Sequence, residues 1–179
     1  IGTKTGIYAA RRTLCGAPYD LLAMVCGDVT RFGGCPVMLL GNVLEVSSLG
    51  EHGSELNFLY REMFETLVEA AKSINLVIHK GETAELGKYV GSDVETDIRF
   101  NWSGTVLGLY HPEKMIFGTK LRAGDKLIAL RDCFRSNGLS SVRAALANRF
   151  GKAWYSIPEA RPYIQAASRP SRLYDYFLA

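Results

Sequence analysis

The sequence predicts an α/β fold, and three features carry that reading. Residues 54–75 hold an apolar stripe at helical spacing, apolar runs of strand character flank it, and a β-branched and aromatic region spans Val94 to Tyr110. Helical and strand periods therefore alternate along the chain, as they do when helices pack on a sheet.

A chain of 179 residues accommodates one domain, or one domain and part of another, and 47% hydrophobic content supplies a sizeable core. Net charge is +3, from 21 basic and 18 acidic residues, and Arg11-Arg12 is the only adjacent basic pair. That balance is too even to suggest a nucleic-acid surface and fits a solvated face. Cys15, Cys26, Cys35 and Cys133 lack C-x-x-C spacing and read as free thiols of a reducing cytosol. His52, His79 and His111 lie far apart, which argues against a zinc site. No apolar run has the length of a membrane span, and no signal peptide is visible. The start at Ile1 and the apolar end from Leu173 to Ala179 read as those of a fragment.

Taken in order, Gly2-Thr3-Lys4-Thr5-Gly6 sets a lysine beside flexible backbone, either a phosphate contact or a terminal turn. Pro18 opens a helix with Leu21, Leu22, Val25, Val29 and Phe32 on one stripe, closed by Gly33-Gly34. Asp20 and Asp28 stand two turns apart on it, as surface carboxylates or as ligands; exposure statistics favour surface. Pro36 to Ser48 reads as a strand interrupted at Gly41-Asn42, the mark of a bulge or close approach. Ser54 caps the long helix, whose stripe runs Leu56, Leu59, Tyr60, Met63, Phe64, Leu67, Val68 and Ala71.

The strand Leu76–Ile78 then leads to Gly81-Glu82-Thr83-Ala84-Glu85, expected to be a polar loop. Its carboxylates and hydroxyl are hard oxygen donors suited to Mg²⁺ and phosphate, although a plain surface turn has the same composition. Beyond Val94–Tyr110, interrupted at Ser103-Gly104, come a turn at His111-Pro112-Glu113, a loop from Gly118 to Lys126 and a buried strand Leu127–Leu130. A domain boundary falls near residues 115–118, giving units of 1–116 and 117–179. Arg135-Ser136-Asn137-Gly138 feeds a helix from Leu139 to Arg149, and its polar groups suit either an anion or a self-capped helix start.

The order of these motifs, with Gly2-Thr3-Lys4, Gly27-Asp28, Gly33-Gly34-Cys35-Pro36, Gly81–Glu85, Gly124-Asp125, Ser136-Asn137-Gly138 and Pro170–Tyr174, resembles aminoimidazole ribonucleotide synthetase, the phosphoribosylformylglycinamidine cyclo-ligase of purine biosynthesis. The resemblance runs along essentially the whole chain, which covers about half of such an enzyme. It implies an α/β (α+β) fold whose N-terminal domain contributes strands to a dimeric β-barrel with outer helices, followed by a partial second α/β domain. On this basis residues 1–116 form an ATP-binding-type domain lacking its first segment, and 117–179 a partial C-terminal domain.

The family couples ATP and Mg²⁺ to cyclisation of formylglycinamidine ribonucleotide in the cytoplasm. The resemblance implies a homodimer with a small-molecule nucleotide substrate, and neither nucleic acid nor membrane as partner. It assigns Gly2, Thr3, Lys4, Asp20, Asp28, Glu82 and Thr83 to nucleotide, Asp28 and Glu82 to metal, and Ser136, Asn137 and Gly138 to substrate. Lys4, Asp28 and Glu82 become the catalytic set. Departures stand beside these: Gly41-Asn42 replaces an expected aspartate, His79-Lys80 replaces small residues and Arg135 replaces a histidine. Losing a carboxylate and gaining a lysine makes the site less hospitable to Mg²⁺. A divergent relative that binds nucleotide or a partner without cyclising, or a related ATP-dependent enzyme with another acceptor, fits the same residues.

Overall fold

The computed structural model describes residues 1–128 and 139–167. Three helices precede or flank the sheet: α1 (Thr5–Arg11), α2 (Ala17–Thr30) and α3 (Glu55–Ser73). The strands are β1 (Cys35–Val46), β2 (Val77–Ile78), β3 (Gly81–Glu85) and β4 (Phe100–Leu109), and α4 (Leu139–Phe150) and α5 (Arg161–Ala167) follow.

β1 is the axis of the sheet. β4 runs antiparallel to it from Cys35↔Leu109 to Val46↔Phe100. β2 pairs parallel at Met38 and Leu39, and β3 pairs parallel from Asn42 to Val46. Because β4 fills one edge of β1 at those same residues, β2 and β3 must lie end to end on the other. His79 and Lys80 bridge them: His79 N–H donates to Leu39 O at 3.0 Å, and Asn42 N–H donates to Lys80 O at 3.2 Å. The expected irregularity at Gly41-Asn42 is present as a register shift between Leu39 and Gly41.

The dimeric β-barrel is overturned. The sheet has four strands and remains open: β4 and the β2–β3 edge each pair with β1 and not with one another. Three lanes are too few to wrap round a core, since a barrel filled by side chains needs about eight strands. Among the described residues after 117 there is no strand, only α4, α5 and short 3₁₀ turns, so the strands expected of a second α/β unit are not found there. Leu127 and Ile128 are exposed and unpaired coil rather than the start of a buried strand; residues 129 and 130 lie outside the described residues.

Alternation sorts the sheet into two faces. Leu39, Asn42, Leu44, Val46, Phe100 and Trp102 are buried beneath helices, while Leu40, Val43, Ser103, Leu107 and Leu109 point to the uncovered side. α3 lies on the buried face because Leu56, Tyr60, Met63 and Leu67 recur on one of its sides. Two edge-to-face pairs seat it there: Tyr60 with Phe100 at 6.1 Å and Phe64 with Trp102 at 6.5 Å. Ser54 Oγ accepts from Asn57 N–H at 3.2 Å and fixes its start. α2 packs beside it, with Pro18 in its first turn and Gly33, at φ +82°, just beyond its end. Leu146, Trp154, Ala160 and Ile164 join the core that holds Ile7, Tyr8 and Leu14, with α5 against α1 and α4 against the 3₁₀ turn Gly2–Lys4.

Candidate functional site

Gly2-Thr3-Lys4 forms a 3₁₀ turn that runs directly into α1, and Gly2 takes φ +54°, which glycine adopts without strain. The turn delivers Lys4 inward, where it is only 5% exposed. Its ammonium lies 4.0 Å from Asp20 Oδ1 and 3.1 Å from Met24 Sδ. Asp20, also 5% exposed, accepts a hydrogen bond from the Tyr8 hydroxyl. Burial pulls the Lys4 pKa below its ordinary value, and the Asp20 carboxylate opposes that shift. Gly16 leaves room for Tyr8, since a Cβ there would stand 2.7 Å from the phenol ring. The polar ends of α1 and α2 are thus fastened to each other inside the core.

Asp28 belongs to a different environment. It is exposed and pairs with Arg31 one turn further along α2. Eight residues at 1.5 Å each put it about 12 Å along the axis from Asp20, too far for one ion to bridge the two.

Gly81–Glu85 is a strand, not the expected loop, and its alternation splits the residues that the composition had grouped. Glu82 pairs with Val43 and points to the uncovered face. There it borders a depression of about 310 Å³ with Gly41, Lys80, Ser103 and Thr105. Thr83 and Glu85 point the other way, and Glu85 Oε1 accepts from Leu49 N–H at 3.1 Å. Gly81 is glycine for a local reason: a Cβ would come within 3.1 Å of the Asn42 amide nitrogen. Both ends of that amide are engaged. Asn42 Nδ2 donates to Lys80 O at 2.9 Å, and Asn42 Oδ1 accepts from Trp102 Nε1 at 3.1 Å. The interruption at Ser103-Gly104 is likewise absent, as β4 passes through it without a break.

Asp20, Asp28 and Glu82 are therefore not brought together: one is buried beside α1, one exposed at the end of α2, and one on the far side of the sheet. Among the described residues no group of three or more His, Cys, Asp or Glu side chains is placed to hold a metal ion. The donor set does not fit the Mg²⁺ site that the resemblance implies. Ser136, Asn137, Gly138 and Arg135 lie outside the described residues.

Two features escaped the sequence. Tyr8 gave no signal, because its partner Asp20 is set by the packing of two helices. A second cleft of about 470 Å³ joins Glu45 and Asn101 of the sheet to Tyr89, Asp93 and Arg143. Asn101 Nδ2 donates to Glu45 Oε2 at 3.0 Å, and Arg143 of α4 pairs with Asp93. No periodicity announces a contact between residues so far apart in the chain.

The chain is similar along most of its length to phosphoribosylformylglycinamidine cyclo-ligases, which bears out the resemblance. The enzyme of Prochlorococcus marinus is 27% identical over 176 residues, covering 97% of this chain and 48% of the relative. That of Thermococcus kodakarensis is 27% identical, covering 93% and 48%. That of Methanobrevibacter smithii is 32% identical over 161 residues, covering 87% and 42%. The chain spans about half the length of the curated relatives it matches. No family model matches it.

Proposed function

We propose that the chain is the nucleotide-handling part of a ligase related to the phosphoribosylformylglycinamidine cyclo-ligases, with ATP and a small phosphorylated nucleotide as substrates. The colinear similarity over 97% of the chain supports this reading. In the ring closure it implies, the formyl oxygen of formylglycinamidine ribonucleotide attacks the terminal phosphorus of ATP and ADP leaves. A nitrogen of the substrate then closes on the activated carbon, and phosphate departs with the oxygen. An amide oxygen is a poor leaving group until phosphorylated, which is why a nucleoside triphosphate is consumed. Glu82, beside the open depression, is the candidate carboxylate with room for a ligand. Ser136, Asn137 and Gly138 are assigned to the substrate side.

A second reading has a specific observation in its favour. The position of the expected aspartate is Asn42, whose amide is committed to Trp102 and Lys80. On that reading the chain binds nucleotide or a partner without closing the ring. Two copies meeting across the uncovered sheet face, in a cytoplasm that keeps Cys15, Cys26 and Cys35 as thiols, fit either reading. No helix among the described residues is long and apolar enough to cross a membrane.

Calorimetric titration of ATP into the chain, with and without Mg²⁺, tests the proposal. Saturable binding is expected. A folded chain that gives no heat with ATP under either condition removes the nucleotide assignment. Assaying ring closure on a longer protein containing this chain then separates the two readings.

A further inference from the structure

We infer that the Lys4–Asp20–Tyr8 cluster is a metal-free structural lock, and that this chain has no divalent-cation site among the carboxylates expected to form one. The inference stands independently of whether a nucleotide binds. Asp20, Asp28 and position 42 are each engaged by another interaction, and Glu82 stands apart from them on the opposite face of the sheet. Asp20 already has Tyr8 as a hydrogen-bond donor and Lys4 as a counter-charge, inside a nearly sealed core. A hard cation would have to displace both groups and bring its own waters into apolar surroundings, since Mg²⁺ gives up its hydration reluctantly. Position 42 carries an amide whose two ends are both engaged. Asp28 is neutralised by Arg31, and Glu82 lies across the sheet from Asp20.

The lock has a mechanical role. Lys4 closes the 3₁₀ turn before α1, Tyr8 lies within α1, and Asp20 and Met24 are one turn apart on α2. One buried carboxylate therefore fixes the angle between the two helices and holds the start of the chain against the core. Buried charges of this kind are conditional on each other. Removing one leaves the other uncompensated in a low-dielectric interior, whereas removing both is far less damaging.

Two measurements test the inference. The first is Mn²⁺ titration without nucleotide, read from the free-ion electron paramagnetic resonance signal, on the native chain and on Asp20→Asn, Asp28→Asn and Glu82→Gln. The native chain is expected to leave the free signal as high as Asp20→Asn does. Uptake of one equivalent by the native chain that any of the three variants loses overturns the metal-free assignment. Uptake that survives all three belongs elsewhere in the chain and upholds it.

The second is a thermal-unfolding cycle of Lys4→Met, Asp20→Asn and the double variant, with circular dichroism as the fold control. Lys4→Met alone is expected to lower the Tm sharply, and adding Asp20→Asn to recover part of the loss. Strictly additive shifts overturn the lock. Failure of ATP to bind touches neither measurement, so the nucleotide proposal and this one fail separately.

Discussion

Trp102 donates its indole N–H to Asn42 Oδ1 at 3.1 Å across the β1–β4 ladder, and the other end of the same amide holds the Lys80 carbonyl. The position at which the resemblance implies an aspartate is held by a buried tie between the three lanes of the sheet. An aspartate there keeps the acceptor for Trp102 but loses the donor to Lys80, and sets a carboxylate against a carbonyl oxygen. Asn42→Asp is therefore expected to destabilise the chain by about 1–3 kcal/mol, the cost of an unsatisfied buried polar group. Urea unfolding at several pH values checks it. Burial favours the protonated acid, so the variant is expected to lose further stability as pH rises. A variant as stable as the parent across that range contradicts the assignment.

Tyr60 makes the opposite case. It is 2% exposed, and its hydroxyl has no hydrogen-bond partner among the described residues. Burial raises its pKa, with the Asp97 carboxylate adding to the shift. Tyr60→Phe keeps the edge-to-face contact with Phe100 and removes an unpaired polar group. Stability is expected to hold or rise by up to about 1 kcal/mol. Chemical denaturation distinguishes this from the loss that a hidden hydrogen bond would produce.

Arg12 sits between two carboxylates, 2.8 Å from Glu55 Oε1 and 2.8 Å from Asp97 Oδ1. Hydrogen bonds from Arg12 hold both the Glu55 and the Asp97 pKa below their ordinary values. A lowered folded-state pKa means the unfolded chain takes up protons first. The contribution is therefore complete above the ordinary carboxylate range and disappears as pH falls through the lowered values. Arg12→Met is expected to flatten that acid limb of the Tm-against-pH curve, by a small amount because all three groups face solvent. An unchanged limb would assign the acid sensitivity to other carboxylates.

The uncovered sheet face presents Leu40, Val43, Leu107 and Leu109, the last 64% exposed. A contiguous apolar face of this kind marks an interaction surface. Sedimentation of the native chain is expected to show two copies together, and Leu107→Asp to leave a folded single copy. A native chain that sediments as one copy at high concentration ends that expectation.

Local signals were legible in the sequence, and relations between distant segments were not. α2 and α3 followed from the spacing of Leu21, Leu22 and Val29, and of Leu56, Tyr60, Met63 and Leu67. The bulge at Gly41 followed from a glycine within an apolar run. Gly81–Glu85 was misread as a loop because its residues are polar and exposed; only pairing with β1 makes it a strand. Asp20 and Asp28 looked alike at a spacing of two turns, yet one faces α1 and the other faces solvent. The barrel came from resemblance and not from any count of strands, and an open sheet replaced it. Motif order identified relatives, but it did not reveal which polar groups are already spent on the fold.

The central position of β1 also sets the order of events as the chain becomes structured. Sixty residues separate Asn42 from Trp102, and thirty-eight separate it from Lys80. β1 must therefore wait with one edge empty until β2 and β3 have been made, and with the other empty until β4 has been made. Such non-local pairing has to repay loop closure before it gains contacts, and it slows folding relative to a helical bundle. α3, whose backbone hydrogen bonds are local, is the element able to form first and give the late strands a surface on which to assemble. During that interval the apolar run from Val37 to Leu40 is an unpaired strand, which carries an aggregation hazard until its neighbours arrive.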